Sequence, residues 1–109
     1  TPNLRACEPL CAEVVARAEA GRPLAAICAA PSIFAELGVL RGRRATSNPG
    51  FQHVLAEQGA ELLADEPVVV DGNLITSQGA GTAMLFALEI VRHYLGDEAV
   101  ERVRAGVVL

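Results

Sequence analysis

The stretch Pro23-Leu24-Ala25-Ala26-Ile27-Cys28-Ala29-Ala30-Pro31 decides how the chain is read. Leu24 to Ala30 is the longest unbroken apolar run, and a proline bounds it at each end. Its first part, Pro23–Cys28, is short and apolar on both faces. That pattern belongs to a strand buried within a parallel sheet, not to one with a wet face. At Pro31 the pattern turns helical, since proline is favoured in the first helical turn. The helix runs from Pro31 to Leu37, and Gly38 stops it. A buried strand thus turns abruptly into a helix at Cys28, with Ala26, Ala29 and Ala30 around the corner. This is the steric signature of a nucleophile elbow. A side chain held on a sharp turn needs small neighbours so that backbone can pass close by.

On the N-terminal side, from Asn3 to Ala20, Leu4, Cys7, Cys11, Val14, Val15 and Ala18 recur at helical spacing, and Gly21 suits the residue that closes a helix. On the other side, Arg44 to Ser47 reads as a short strand, Asn48-Pro49-Gly50 as a turn, and Phe51 to Gln58 as a short helix ended by Gly59. Val68-Val69-Val70, then Asp71-Gly72, then Asn73 to Ser77 carry the strongest hairpin signal in the chain. After Gly79-Ala80-Gly81, Thr82 suits the N-cap of a helix running to Leu95. Gly96 ends that helix, and Asp97 caps a last one from Glu98 to Ala105.

Helices alternating with short buried strands predict an α/β sandwich around a mostly parallel sheet. Such a sheet normally has five or more strands. This chain supplies three or four and opens on a helix, so it reads as the second half of a domain. The strand edge beside Pro23–Cys28 is then expected to lie unpaired.

With 109 residues the chain is long enough for one ordinary domain with a real core. Hydrophobic residues make up 51% and charged residues 20%, which excludes a disordered tail. The net charge is −4, and all nine cations are Arg. An acidic chain with no basic run is not built to hold nucleic acid or an anionic membrane by charge. Leu24–Ala30 falls far short of the roughly 20 residues that a membrane helix needs, and no signal-peptide pattern opens the chain. Three cysteines, an odd count, argue against a closed disulfide framework and for a reducing, cytoplasmic location.

Cys28 is the most informative residue. The helix after it aims N–H groups and a positive dipole end at the sulfur, which favours a thiolate. Periodicity alone favours a plainer reading, a small apolar residue closing a core strand. Cys7 and Cys11 lie one turn apart on an apolar face. They suit core packing better than a metal site, because no His or further Cys stands near them to complete one. His53 is either a general base, if the fold brings it to Cys28, or a solvent-facing helix residue. His93 sits near a helix C-terminus, where a cation is favoured. Gly79-Ala80-Gly81-Thr82 suits a tight turn with an N-cap, and less specifically an anion cradle. No cofactor is called for.

Ala25-Ala26-Ile27-Cys28-Ala29-Ala30-Pro31, together with Thr76-Ser77-Gln78-Gly79-Ala80-Gly81-Thr82 and Phe86-Ala87-Leu88-Glu89-Ile90-Val91, resembles the ThiJ/PfpI superfamily. The nearest branch is that of the parkinsonism-linked deglycase and its bacterial relatives. The resemblance implies a flavodoxin-like three-layer α/β sandwich, of which residues 1–109 form the C-terminal part, and a homodimer. It implies that Cys28 is the reactive, oxidation-prone nucleophile and that the Ala29 N–H stabilises an oxyanion. Asn48, Gln78, Gly79 and Ala80 are then the expected substrate-pocket residues. The implied chemistry is glyoxalase- or deglycase-type, acting on 2-oxoaldehydes or glycated adducts; the alternative is a non-catalytic oxidation sensor with a chaperone or stress-response role. The peptidase branch carries a His directly after the Cys, whereas Ala29 stands there here. The His that many relatives place near the Cys is Asn48, which cannot act as a base near neutral pH. The family's N-terminal strands, with the acidic partner of the Cys, are implied to come from polypeptide outside these residues.

Overall fold

The computed structural model describes residues 1–109. Pro9 sets the first departure from the sequence pattern. The single helix expected from Asn3 to Ala20 is two, α1 (Pro2–Arg5) and α2 (Glu8–Glu19), with Cys7 extended between them at ψ 97°. Proline has no N–H for a carbonyl four residues back, and its ring crowds that carbonyl. The carbonyl in question, that of Arg5, is instead approached by Cys11 Sγ at 3.5 Å.

β1 (Leu24–Ile27) leads through the Cys28 corner to α3 (Pro31–Glu36). Next come β2 (Arg44–Ala45), a 3₁₀ turn (Pro49–Phe51) and α4 (Gln52–Glu57). β3 (Glu61–Leu62), β4 (Val68–Asp71) and β5 (Leu74–Ser77) complete the strands. A second 3₁₀ turn (Ala80–Thr82) leads into α5 (Ala83–Leu95), and α6 (Asp97–Gly106) follows. The hairpin β4–β5 is present, but its two-residue turn is Gly72-Asn73, one position later than expected. The pair Asp71↔Leu74 closes the ladder, and Gly72 takes the left-handed conformation at φ 59°. Thr82 precedes α5 without capping it. Its Oγ1 turns back to accept the Gly79 N–H at 3.1 Å and lies 2.6 Å from Ser77 Oγ. Asp97 is the first residue of α6, not its cap, because its carboxylate is drawn to Arg92 at 2.6 Å.

β5 is central and buried along its whole length. It runs parallel to β1, in the register Leu24↔Leu74 to Ile27↔Ser77, and antiparallel to β4. β2 is two residues long where four were expected. It pairs in parallel with β3, a strand absent from the sequence reading, so the backbone ladders form two separate sheets. Side chains join them. The Thr46 N–H donates to Thr76 Oγ1 at 3.0 Å, and the Arg44 N–H to Asp71 Oδ2 at 2.8 Å. Arg43 Nε also reaches Asp71 Oδ2, at 3.2 Å. Val14 of α2, Phe34 and Ala35 of α3 and Leu55 of α4 form one core with Ala26, Leu40, Ala45 and Leu74. α5 covers the other face, backed by α6 through Ala99 and Val100. The result is an α/β sandwich with helices on both faces of the strands.

The Arg44 amide, and then the Arg43 side chain, hold the Asp71 carboxyl below its ordinary value of 3.8, although partial burial opposes them. A group lowered in the folded state adds stability above its unfolded value and loses it as pH falls through the folded one. Asp71→Ala is expected to lower stability by about 1–3 kcal/mol near neutral pH, as the loss of hydrogen bonds to a charged acceptor does. Urea unfolding of both proteins between pH 7 and pH 3 checks this, and the gap between the two curves should narrow below pH 3.8.

Candidate functional site

The site grows from the C-terminal ends of β1 and β5, where ligands of open α/β sheets sit. The β1–β5 ladder ends with the Cys28 N–H donating to the Ser77 carbonyl at 3.0 Å. Cys28 then adopts φ 66°, the left-handed conformation that costs an L-residue about 1–2 kcal/mol. Local chemistry holds it there. The Ala30 N–H closes the corner onto the Ile27 carbonyl at 3.2 Å, Ser32 Oγ donates to the Ala29 carbonyl at 2.6 Å, and Pro31 starts α3 with its φ already set. Cys28 is left exposed. The Ala29 N–H donates to no acceptor of the chain, although Ala29 is only 8% exposed.

Asn48 is fixed to this corner by its backbone, its N–H donating to the Cys28 carbonyl at 2.7 Å. Its Oδ1 accepts the Gly50 N–H at 3.0 Å and so starts the 3₁₀ turn over Pro49. Its Nδ2 lies against Gly79, 3.9 Å from where a Cβ there would stand. Asn48 therefore bridges Cys28 to the turn at Gly79 and Ala80 that follows β5. Gln78, expected at the substrate pocket, is tied back to the chain. Its Nε2 donates to the Ala64 carbonyl at 2.8 Å, the same oxygen that Gln52 Nε2 holds at 3.0 Å. One of its side-chain N–H groups thus clamps the loop before β4.

The histidines do not enter this arrangement. His53 is exposed on α4. His93 stacks edge-on against Tyr94, with ring centroids 5.0 Å apart, beside a small cleft at Leu24 and Ile75. Cys7 is exposed, Cys11 is half-buried, and no three His, Cys, Asp or Glu side chains converge anywhere in the chain. Two contributors escaped the sequence reading. Ser77 supplies the carbonyl that anchors Cys28, and Thr46 is wholly buried with its Oγ1 unpartnered.

The model of the DJ-1/PfpI family matches residues 1–93. The chain belongs to the DJ-1/PfpI family. Protein dj-1beta of Drosophila melanogaster is 44% identical over 89 residues, which are 82% of this chain and 47% of that protein. A deglycase of Pyrococcus abyssi is 42% identical over 72 residues, 66% of this chain and 43% of that one. The chain thus spans less than half the length of these two DJ-1/PfpI relatives. The crystal structure of Drosophila DJ-1beta superposes with a TM-score of 0.93 at 36% identity, covering 99% of this chain and 57% of that one. A Toxoplasma gondii DJ-1 structure described as oxidized superposes at 0.85 with 27% identity, covering 96% of this chain and 56% of that one.

The left-handed turn at Cys28 yields a stability test that reverses the usual order. In ordinary strand or helix positions glycine is less stable than alanine by roughly 0.5–1 kcal/mol. At Cys28 an alanine carries the left-handed penalty and a glycine does not. Cys28→Gly is therefore expected to be more stable than Cys28→Ala, by up to about 1 kcal/mol, in paired urea titrations.

Proposed function

We propose that the protein is a cysteine enzyme of glyoxalase or deglycase type, acting on 2-oxoaldehydes or their glycated adducts. One observation carries the reading: an exposed thiol on a left-handed turn, next to an N–H that has no acceptor of its own. The Cys28 thiolate adds to the aldehyde carbon, forming a C–S bond as the carbonyl π pair moves onto oxygen. The Ala29 N–H donates to that oxyanion, which then takes a proton and leaves a hemithioacetal. Gly79 and Ala80 border the substrate on the β5 side, and the Asn48 Nδ2 offers it a donor. No carboxyl or imidazole hydrogen-bonds Cys28 Sγ within this chain. In this reading the later proton transfers fall to an acidic residue from polypeptide that completes the domain. Relatives named as deglycases support the substrate class. A homodimer in the cytoplasm is part of the same proposal.

A second reading is favoured by the likeness to an oxidized DJ-1 structure. Peroxide gives one oxygen to the Cys28 sulfur and leaves as water, forming a sulfenic and then, with a second peroxide, a sulfinic acid. The exposed sulfur and the free Ala29 N–H suit that product as well. The two readings part on whether methylglyoxal is turned over.

Methylglyoxal consumption by the wild-type protein, Cys28→Ser and Asn48→Ala decides between them. Cys28→Ser is expected to fall to the uncatalysed rate, because no base stands ready to activate an alcohol. Asn48→Ala keeps the backbone N–H that holds the Cys28 carbonyl. It should therefore lose no more than about tenfold, the worth of one neutral hydrogen bond. Equal damage from both substitutions would overturn the assignment. So would peptide mapping after limiting iodoacetamide that shows Cys7 or Cys11 labelled ahead of Cys28.

A further inference from the structure

Two hydroxyls meet beneath the turn that follows β5. Ser77 Oγ lies 2.7 Å from the Pro67 carbonyl and 2.6 Å from Thr82 Oγ1. Thr82 Oγ1 lies 3.0 Å from the Gly79 carbonyl and accepts the Gly79 N–H at 3.1 Å. Each hydroxyl carries one hydrogen. Three oxygen–oxygen contacts therefore share two hydrogens, and one contact goes without. It is not the contact between the hydroxyls, because two oxygens facing lone pair to lone pair at 2.6 Å repel. Of the two ends, the Pro67 contact is the shorter. The Gly79 carbonyl is also served already by the Thr82 N–H at 3.0 Å, whereas the Pro67 carbonyl otherwise has the Gln78 N–H at 3.3 Å. The hydrogens therefore run one way, from the Gly79 N–H to Thr82 Oγ1, from the Thr82 hydroxyl to Ser77 Oγ, and from the Ser77 hydroxyl to the Pro67 carbonyl. Successive hydrogen bonds that point the same way polarise and strengthen one another.

We propose that this hydroxyl relay fixes the turn that borders the substrate, with Thr82 as its positioning residue. The inference rests on the reading of Cys28 as the reacting group and deepens it. Gly79 stands at the open end of the relay and lies against the Asn48 Nδ2. Drawn to Thr82, its N–H is withheld from substrate, and a residue with wide backbone freedom is held in one orientation. The far end of the relay is fixed in the loop before β4, at Pro67. Ser77, wholly buried, serves both parts of the site. Its carbonyl holds the Cys28 N–H at 3.0 Å, and its hydroxyl supports the turn at Gly79. The two hydroxyls are not equivalent. Without the Ser77 hydroxyl, the Thr82 hydrogen turns to the Gly79 carbonyl, and Thr82 Oγ1 still accepts the Gly79 N–H. Without the Thr82 hydroxyl, the Gly79 N–H loses its acceptor.

Amide hydrogen exchange and methylglyoxal kinetics on Thr82→Val, Thr82→Ser and Ser77→Ala test this. In Thr82→Val the Gly79 amide is expected to exchange about fivefold faster than in wild type, the worth of one neutral hydrogen bond. Thr82→Ser, which keeps the hydroxyl, should restore the protection, and Ser77→Ala should stay nearer to Thr82→Ser than to Thr82→Val. The KM for methylglyoxal should rise about fivefold in Thr82→Val while kcat stays within about twofold, because the turn borders substrate and transition state alike. Thr82→Ser should return KM toward the wild-type value. Unchanged Gly79 exchange in Thr82→Val, or equal acceleration in Ser77→Ala, would overturn the relay. A Thr82→Val protein that loses kcat at constant KM, or loses neither, would overturn the positioning role. Should Thr82→Val not fold, Ser77→Ala against wild type still decides, since a fivefold acceleration there contradicts the relay. Wild-type protein that consumes no methylglyoxal would overturn the enzyme reading, and the exchange pattern would still decide the relay, so the two failures are separable.

Discussion

The Cys28 amide meets the Ser77 carbonyl at 3.0 Å, and much of the molecule is arranged so that this bond can form. It is the last rung of the β1–β5 ladder, and directly beyond it the chain goes left-handed. Every element that touches β5 supports that rung. β4 pairs along the far edge of β5, Leu74 sits in the core with α2, α3 and α4, and Thr76 Oγ1 takes the Thr46 amide from the strand pair beside it. Ser77 Oγ reaches the Pro67 carbonyl at 2.7 Å and Thr82 Oγ1 at 2.6 Å, so the strand end is pinned on both sides. A strained residue persists only where its surroundings over-determine it, and here they do.

The corner at Cys28 and the hairpin were legible in the sequence because each is written in local chemistry. Prolines at 23 and 31 bound the apolar run, and three consecutive valines before Asp71-Gly72 admit few conformations other than strand and turn. What escaped was written at long range. Glu61-Leu62 is too short and too polar to announce a strand, and it becomes one only because Arg44-Ala45 is brought alongside. Asn48 was legible as a substitution for an imidazole, but its firmest contact uses the peptide N–H, which any residue except proline carries. Gln78 shows the reverse case. Its place in the motif suggested a pocket, and nothing local announced that its amide is also held by the Ala64 carbonyl fourteen positions away. Local pattern predicts where a side chain starts and says little about which distant acceptor captures it.

The join between the two strand sets has a different character from the ladders themselves. Asp71 sits where the hairpin turns, and its carboxylate gathers the Arg44 amide and the Arg43 side chain. Arg43 also reaches Asn73 Oδ1 at 3.1 Å, and the Asn73 side chain in turn donates to the Arg22 carbonyl ahead of β1. A polar chain thus crosses from β2 through the hairpin turn to the entry of β1. Apolar burial fixes the centre of the molecule, while this charged seam sets how β2, and with it Asn48, lies relative to Cys28.

The register of β1 against β5 carries a consequence in time. Leu24 finds Leu74 only after half the chain has been drawn into a loop, whereas β4 and β5 meet across two residues. Loop closure of that span costs entropy before it returns any contact, which favours forming the hairpin before β1 docks. Until β1 docks, the Cys28 amide has no Ser77 carbonyl to meet, and the corner rests on its local hydrogen bonds alone. The fixed position of the Cys28 corner against β5 thus comes into being with the last strand to arrive.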